Sequence, residues 1–481
     1  MSPSIHMCFN IVYEKIVDNF LLIVAVPLTI AAATIAMARL EPNESADPIQ
    51  TFSHSQILSI LLFLATAVIV YYMQRPRMVY LVDYACFRAT YNYRVPSAAF
   101  VEHVRQVSHF SERSVRFLTR LLERSGLGEE TCLPPVGQYI EPYNYCTLEV
   151  AREEAQLVVF SAIDDLFAKT SIAPHTIDIL VVNCSGFSPT PGFPDMIINK
   201  YKMRSDIRNV HLSGMGCSAG LASVDLAKNL LQAMPPGARA LVVSTETLTP
   251  NYYFGNERAM LLPYCLFRMG GAAVLLSTSP EKARFRLKFV VRTHTAADDK
   301  SYQCIYQKED DKGNKGVDLS IDLMTVAART LKANITTIAP LVLPASEKLL
   351  FAISFVSTKL LKMGTKLYVP NFLTAFEHIC IHAGGRAVID EIQRSLGLSD
   401  KHVESSRMTL HRFGNISSSC LWYELAYIEA KHNMQKSDRV WMIGFGSGFK
   451  CNSAVWECIV PTHSEDGPWA TCIHRYPVHD P

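Results

Sequence analysis

Apolar and polar positions divide the chain into two stretches of different character. Before residue 76 two apolar runs dominate, residues 20–38 (FLLIVAVPLTIAAATIAMA) and 57–73 (ILSILLFLATAVIVYYM). Each approaches the ~20 residues that a helix needs to cross a ~30 Å hydrocarbon core. Glu14, Lys15 and Asp18 precede the first run and Pro27 interrupts it, which argues against a cleaved signal sequence. The connector at 39–56 carries Arg39 against Glu41, Glu44 and Asp47, whereas Arg75 and Arg77 follow the second run, beside Tyr71 and Tyr72. This charge asymmetry predicts a two-helix transmembrane hairpin with a lumenal connector and both ends in the cytosol. A pair of buried core helices is the alternative.

From Pro76 onward the pattern changes to short apolar runs alternating with amphipathic stretches. Strands are predicted at 177–182 (IDILVV), 240–244 (ALVVS), 272–277, 285–293, 374–381 and 440–445, and helices at 143–169, 219–233, 317–335, 386–396 and 416–430. That alternation predicts an α/β protein with mostly parallel, helix-covered sheets. Residues 298–315 (DDKSYQCIYQKEDDKGNK) are polar and contain glycine, so they are expected to form a surface loop between two halves. The expected organisation is a membrane anchor at 1–75 and two α/β halves at 76–297 and 298–481. Pro340 and Pro344 break the chain before 349–355, an apolar run expected to join the core rather than touch a membrane.

Composition narrows the function classes. The 481 residues are 49% hydrophobic and 19% charged, with a net charge of only +2, so there is no strong nucleic-acid footprint. Thirteen cysteines are scattered without a CxxC pair or a zinc-type His/Cys spacing. Free thiols in a reducing compartment are expected, which again places the α/β part in the cytosol.

The candidate chemistry lies in three places. In LSGMGCSAGL, Cys217 follows Gly214 and Gly216 and opens a helical pattern. Glycines permit a tight turn there, a helix start favours the thiolate, and backbone N–H groups can hold an oxyanion. A buried small-residue packing site is the plainer reading of the same residues. In FEHICIHAGGRAVI, His378 and His382 lie on a strand that ends at Gly384–Gly385, where ligand crevices of α/β folds occur. Asn415, in LHRFGNISSS, stands just before a helix and could be only its N-cap. His294 and His411, like His378, read as structural when taken singly. GFGSG at 444–448 is not a dinucleotide fingerprint, and no Walker A loop or HExxH motif is present.

Taken together, GMGCSAG, HAGGRAVID, RFGN and GFGSG resemble the thiolase-fold condensing enzymes, a superfamily that includes the chalcone synthases. Longer matches narrow the likeness to the plant very-long-chain 3-ketoacyl-CoA synthases. They include YLVDY at 80–84, NKY at 199–201, YFGN at 253–256, LFRMGGA at 266–272, LVLP at 341–344, LWYELAYIEAK at 421–431 and FGSGFKCNSAVW at 445–456. The resemblance implies a duplicated αβαβα layered fold, usually dimeric, on an endoplasmic reticulum membrane anchor. It implies a decarboxylative Claisen condensation of malonyl-CoA with a long-chain acyl-CoA, the first step of very-long-chain fatty acid elongation. Cys217 would carry the acyl group, while His382 and Asn415 would hold the malonyl thioester oxygen. His294, His378 and His411 match further family histidines and are expected as supporting residues. No cofactor or metal is expected, and the other elongase subunits are expected partners. The segments 185–195 (SGFSPTPGFPD) and 249–252 (TPNY) depart from the family norm, which leaves the preferred chain length open.

Other classes fit less well. A papain-like protease would carry its Cys near the mature start in a different signature. A thiolase would want a second Cys inside the GFGSG loop, and a soluble polyketide synthase would not need the two apolar runs. A non-catalytic membrane scaffold of the elongase remains the alternative from a different class.

Overall fold

The computed structural model describes residues 76–355, 371–462 and 466–478, with a few isolated positions besides. The two apolar runs before residue 76 lie almost wholly outside the described residues. The chain divides into the units Met1–Arg77 and Met78–Pro481, and the second holds every described strand.

Eleven strands are described: β1 Tyr80–Cys86, β2 Ile179–Asn183, β3 Arg208–Leu212, β4 Arg239–Thr245, β5 Gly271–Ser277, β6 Phe285–His294, β7 Ile305–Glu309, β8 Lys315–Leu319, β9 His378–Ile381, β10 Arg439–Gly446 and β11 Lys450–Cys458. The helices that position the site are α1 Leu148–Thr170, α2 Phe193–Tyr201, α3 Ala219–Gln232, α4 Leu323–Val342, α5 Arg386–Leu396, α6 Asp400–Phe413 and α7 Cys420–Ala430. Nine strands form one sheet in the order β3-β2-β4-β5-β1-β6-β11-β10-β9. The same order runs outward from its centre in both directions. β1, β5, β4 and β2 on one side match β6, β11, β10 and β9 on the other, with matching parallel and antiparallel pairs. The two sets meet along a short antiparallel seam, Tyr80↔Arg286 and Leu81↔Phe285. The second set therefore opens at β6, and its hairpin β7–β8 lies inside it.

The expectation of mostly parallel sheets is corrected. Only β2–β3, β2–β4 and β9–β10 are parallel, and the remaining neighbours run antiparallel. The reason is partly local: GFGSG ends β10 and leads through Ser447–Phe449, a three-residue turn, straight into β11, and a tight hairpin makes antiparallel strands. Helices still cover the strands, so β2 and β5 are buried along their whole length and carry apolar runs rather than alternation.

The segment 298–315 is not simply a loop. It holds a short helix, Asp299–Tyr302, and most of the β7–β8 hairpin. Asp310 closes the turn by accepting the N–H groups of Lys312 and Asn314, both at 2.9 Å, and Gly313 takes φ +79°. The polar residues that suggest a loop belong to the exposed face of that hairpin and its turn.

α7 is almost wholly buried, with Trp422, Tyr423 and Leu425 in the core, and its two buried carboxylates, Glu424 and Glu429, are paired with Ser406 and with Arg284. α3 touches β2 and β4 of one set and β10 and β11 of the other, so it lies inside the molecule rather than on its surface. α1 and α4 cover outer faces of the first and second sets. Ala345–Phe355 departs from expectation. It leaves α4 at a 117° bend, buries Glu347 and exposes Leu349, Phe351, Ile353 and Phe355. Only this bent pair, among the described residues, is long and apolar enough to cross a membrane, and no single helix is.

Candidate active site

Cys217 lies in the single turn Gly216–Ser218 that leads into α3. Asn415 stands just ahead of the turn Ser417–Ser419 that leads into α7. The two helices precede β4 and β10, matching strands of the two sets, so the sheet repeat brings two equivalent turns face to face. Glycines make the approach possible. A Cβ on Gly220 would fall 2.3 Å from the Ser418 carbonyl oxygen, and one on Gly216 2.7 Å from the Ser447 nitrogen. Gly216 also holds φ +64°, which a side chain would strain. Gly446 of the β10–β11 hairpin has no room either, since its Cβ would meet Ser218 and Met215.

His382 follows the last residue of β9 and pairs its backbone N–H with the Ile443 carbonyl of β10 at 2.9 Å. Its ring is buried, and Nδ1 has no hydrogen-bond partner among the described residues. Burial lowers its pKa to about 4, so the imidazole is neutral at pH 7. Gly384 lies against the ring edge, because a Cβ there would sit 3.2 Å from Cδ2 and Nε2. Asn415 donates from Nδ2 to the Gly384 carbonyl at 3.1 Å and accepts the Ser417 N–H on Oδ1 at 2.9 Å. The second bond settles the orientation of the amide, since an N–H must face an oxygen. One N–H of Nδ2 is left for a ligand.

Cys217, His382 and Asn415 line one cavity of about 490 Å³, together with Gly216, Ser447 and Gly448. Its other walls are largely apolar: Leu133, Val136, Tyr252, Met260, and Ile305 and Leu319 of the β7–β8 hairpin. The Cys217 thiol departs from the sequence-based expectation. Burial opposes the thiolate and pushes the thiol pKa up to about 12, against the lowering by the Ser417 hydrogen bond and the backbone N–H at the helix start. The twelve cysteines among the described residues are all free, and Cys217 is one of the few not fully buried.

The other three histidines are not brought into the cavity. His378 opens β9, about 13 Å from His382 at ~3.3 Å per residue, and its Nε2 pairs with Asp438 at 2.9 Å. His411, near the end of α6, meets the Tyr476 hydroxyl through Nδ1 at 3.1 Å and packs against Gly128. His294 ends β6, and its Nδ1 accepts the Ala296 N–H at 3.2 Å. Its ring approaches the back of Gly448, outside the cavity lining. Their place outside the cavity lining agrees with a supporting position rather than direct contact with the reacting groups.

Residues 71–360 match the family described as "FAE1/Type III polyketide synthase-like protein", and 354–460 match "Chalcone and stilbene synthases, C-terminal domain". A protein from Arabidopsis thaliana named 3-ketoacyl-CoA synthase 5 is 56% identical over 98% of this chain and 96% of its own length. 3-Ketoacyl-CoA synthase 6 from the same plant is 55% identical over 98% and 95%. The chain belongs to the 3-ketoacyl-CoA synthase family. Among solved structures, a tetrahydroxynaphthalene synthase from Streptomyces coelicolor superposes on the synthase with a TM-score of 0.64. It is 18% identical and covers 79% of this chain and 99% of its own. The polyketide synthase domain of Dictyostelium Steely1 gives 0.63 at 16% identity, over 80% and 100%. At such identities these structures bear on the fold alone, and they place the synthase in the thiolase-like α/β class.

Two cavity residues of the synthase have no motif of their own in the sequence. Ser417 sits 3.4 Å from the Cys217 sulfur, and Glu246, just after β4, accepts the Ser417 hydroxyl at 3.0 Å. Ser417 lies within a Ser-Ser-Ser run that reads as a helix start, and Glu246 follows β4 with no recognisable partner nearby in the chain. Only the fold brings them together.

Proposed function

We propose that this enzyme condenses malonyl-CoA with a long-chain acyl-CoA and releases a 3-ketoacyl-CoA two carbons longer, with CO2 and CoA. The observation that carries the reading is the convergence of Cys217, His382 and Asn415 on one largely apolar cavity. The Cys217 sulfur attacks the acyl thioester and keeps the acyl group as a covalent intermediate, which divides a hard carbon–carbon bond formation into two easier steps. The apolar walls favour a hydrocarbon chain, at ~0.8 kcal/mol per buried CH2.

Malonyl-CoA then enters with its thioester oxygen at the neutral His382 ring and the free Asn415 N–H. Loss of CO2 places negative charge on that oxygen, and neutral donors set in advance stabilise it without first giving up a proton. The resulting enolate carbon attacks the acyl–Cys217 carbonyl, and the thiolate leaves. Decarboxylation drives the step, so the scheme draws on no cofactor. Residues 1–75 serve in this proposal as an endoplasmic reticulum membrane anchor that leaves the catalytic unit in the cytosol. A homodimer working beside the reductase and dehydratase subunits of an elongase completes the picture.

The test is expression of the full chain and of Cys217→Ala in microsomes that lack plant elongases. Each is given labelled malonyl-CoA and acyl-CoAs of about 16 to 26 carbons, so that chain preference is read from the products at ~0.8 kcal/mol per CH2. A 3-ketoacyl product two carbons longer, absent from the variant, supports the proposal. Equal product from Cys217→Ala sinks it, and no product from either chain at normal protein levels favours the scaffold.

A further inference from the structure

Cys217 has to lose a proton before it can carry an acyl group, and its burial opposes that loss. The hydrogen-bond partner of its sulfur is Ser417 Oγ, 3.4 Å away. The same hydroxyl lies 3.0 Å from Oε2 of Glu246. The other carboxylate oxygen, Oε1, accepts the N–H groups of Ser185 and Gly186 at 3.1 and 2.6 Å and the Cys184 thiol at 3.7 Å. Oε2 is therefore the oxygen that serves the site.

A hydroxyl has one proton to give. Ser417 Oγ lies within donor reach of both the Cys217 sulfur and Glu246 Oε2, and when its one proton faces Glu246 its oxygen is free to receive a proton from the Cys217 thiol. Ser417 reaches both from φ +52°, a left-handed conformation that costs a non-glycine residue about 1 kcal/mol or more. Its own N–H, bonded to Asn415 Oδ1, helps to hold it there. Burial also raises the Glu246 carboxyl above the usual range, toward the basicity that suits a proton acceptor near neutral pH.

We propose that Ser417 and Glu246 form a relay that accepts the Cys217 thiol proton during acyl loading. The inference rests on the reading of Cys217 as the acyl carrier. As the sulfur bonds to the acyl carbonyl carbon, its proton passes to Ser417 Oγ and the Ser417 proton passes to Glu246 Oε2. One negative charge moves from the carboxylate to the carbonyl oxygen of the tetrahedral intermediate. Collapse of that intermediate breaks the bond to the CoA sulfur. The departing CoA thiolate takes a proton from Ser417 Oγ, which recovers its own from Glu246 Oε2, leaving acyl–Cys217, free CoA and an ionised Glu246. Ser417 touches the reacting sulfur, whereas Glu246 acts through it as a positioning residue. The plainer role for Glu246 is to brace residues 184–186.

The test uses the full chain in detergent. Iodoacetamide alkylation is followed at the Cys217 peptide by mass spectrometry between about pH 6 and pH 9.5, a range that brackets the usual thiol pKa of ~8.5. The wild type is expected to react at a nearly constant rate once Glu246 is ionised. In Glu246→Gln and Ser417→Ala the rate at pH 7 should fall about 30-fold and then climb about tenfold per pH unit, because hydroxide must replace the lost base. Ser417→Thr keeps the hydroxyl and should recover to within about threefold of wild type, within the range expected for an intact general base. A wild-type rate and profile in Glu246→Gln would overturn the relay. So would a uniform drop with an unchanged profile, since that is the mark of a brace. Alkylation needs no acyl-CoA, so a chain that makes no product yet keeps this pH signature discards the condensation proposal and leaves the relay standing.

Discussion

The two strand sets share an order but carry different chemistry at the same place. In the first, the turn before α3 presents Cys217, a nucleophile buried enough to hold its proton. In the second, the turn before α7 follows Asn415, and β9 leads into His382, so the matching corner offers neutral hydrogen-bond donors. The first corner forms and breaks a covalent bond, whereas the second only waits for charge to appear. The same scaffold supports both because the requirement on the backbone is the same: a tight turn, a helix start and a glycine contact across the interface. The side chains that differ line one shared cavity.

The contrast between the corners breaks most visibly if either is emptied. Cys217→Ala should cut condensation by at least about 10⁴-fold, since no covalent route remains. Asn415→Ala and His382→Ala should each cost about 10²–10³-fold in the condensation rate, the usual loss for one donor to an oxyanion, with acyl loading of Cys217 much less affected. Radiolabelled acyl transfer to the protein separates the two steps. If His382→Ala abolished loading as well, the division of labour between the corners would be wrong.

The seam between the sets is the next place to press. Arg284, just before β6, is buried and forms ion pairs with Asp83 of β1 and Glu429 of α7, while Tyr84 donates to Glu429 at 2.5 Å. Arg284→Ala leaves these carboxylates without their cation and should destabilise the fold by about 3–5 kcal/mol in denaturant melts. Replacement of the whole group by apolar residues of similar volume should cost much less.

Two buried titratable groups, one in each set, should respond to pH in opposite senses. Glu154 of α1 is raised by burial from 4.5 to about 7, so its contribution is complete below pH 4.5 and is lost as the pH rises toward 7. His382 is lowered from 6.5 to about 4, so its contribution is complete above pH 6.5 and is lost as the pH falls toward 4. Thermal melts of Glu154→Gln and His382→Gln, each compared with wild type from about pH 4 to pH 8, should therefore diverge from it in mirror-image fashion. Parallel curves would refute this assignment.

The smallest effect separates two neighbouring glycines. Gly214 and Gly216 both have positive φ, but a Cβ on Gly214 meets nothing within 4 Å. Gly214→Ala should cost only about 1 kcal/mol of backbone strain. Gly216→Ala should cost more and also lower activity, because it pushes the GFGSG hairpin off the Cys217 turn.

Long, strongly patterned elements are legible in the sequence, and α5, β4, β5 and the core of α1 fall where periodicity predicts them. What escapes is of three kinds. β1 and β11 are interrupted by polar residues such as Asp83 and Asn452, which pair within the fold but look like breaks in the chain. β7 reads as a loop because its composition is that of an exposed hairpin, and most of β8 falls inside the helix expected at 317–335, which in fact begins at Leu323. The run at 349–355 reads as core because apolar residues alone do not say which side of a helix will be covered. At the site, Cys217, His382 and Asn415 can be picked out because glycines mark each of them. Ser417 and Glu246 cannot, since their roles exist only across the contact between the two sets. His378, His294 and His411, expected as supporting residues, lie outside the cavity lining and bond to Asp438, to the Ala296 N–H and to the Tyr476 hydroxyl, respectively.

The Ala345–Phe355 helix has a practical consequence. With Leu349 61% exposed and Ile353 54% exposed on the same short element, the catalytic unit carries an apolar ridge of its own. A chain trimmed of the first 75 residues to gain solubility would still cling to columns, to detergent micelles and to its own copies. Charged replacements along this ridge, rather than further trimming, are the change to make for anyone who wants the catalytic unit monodisperse in water.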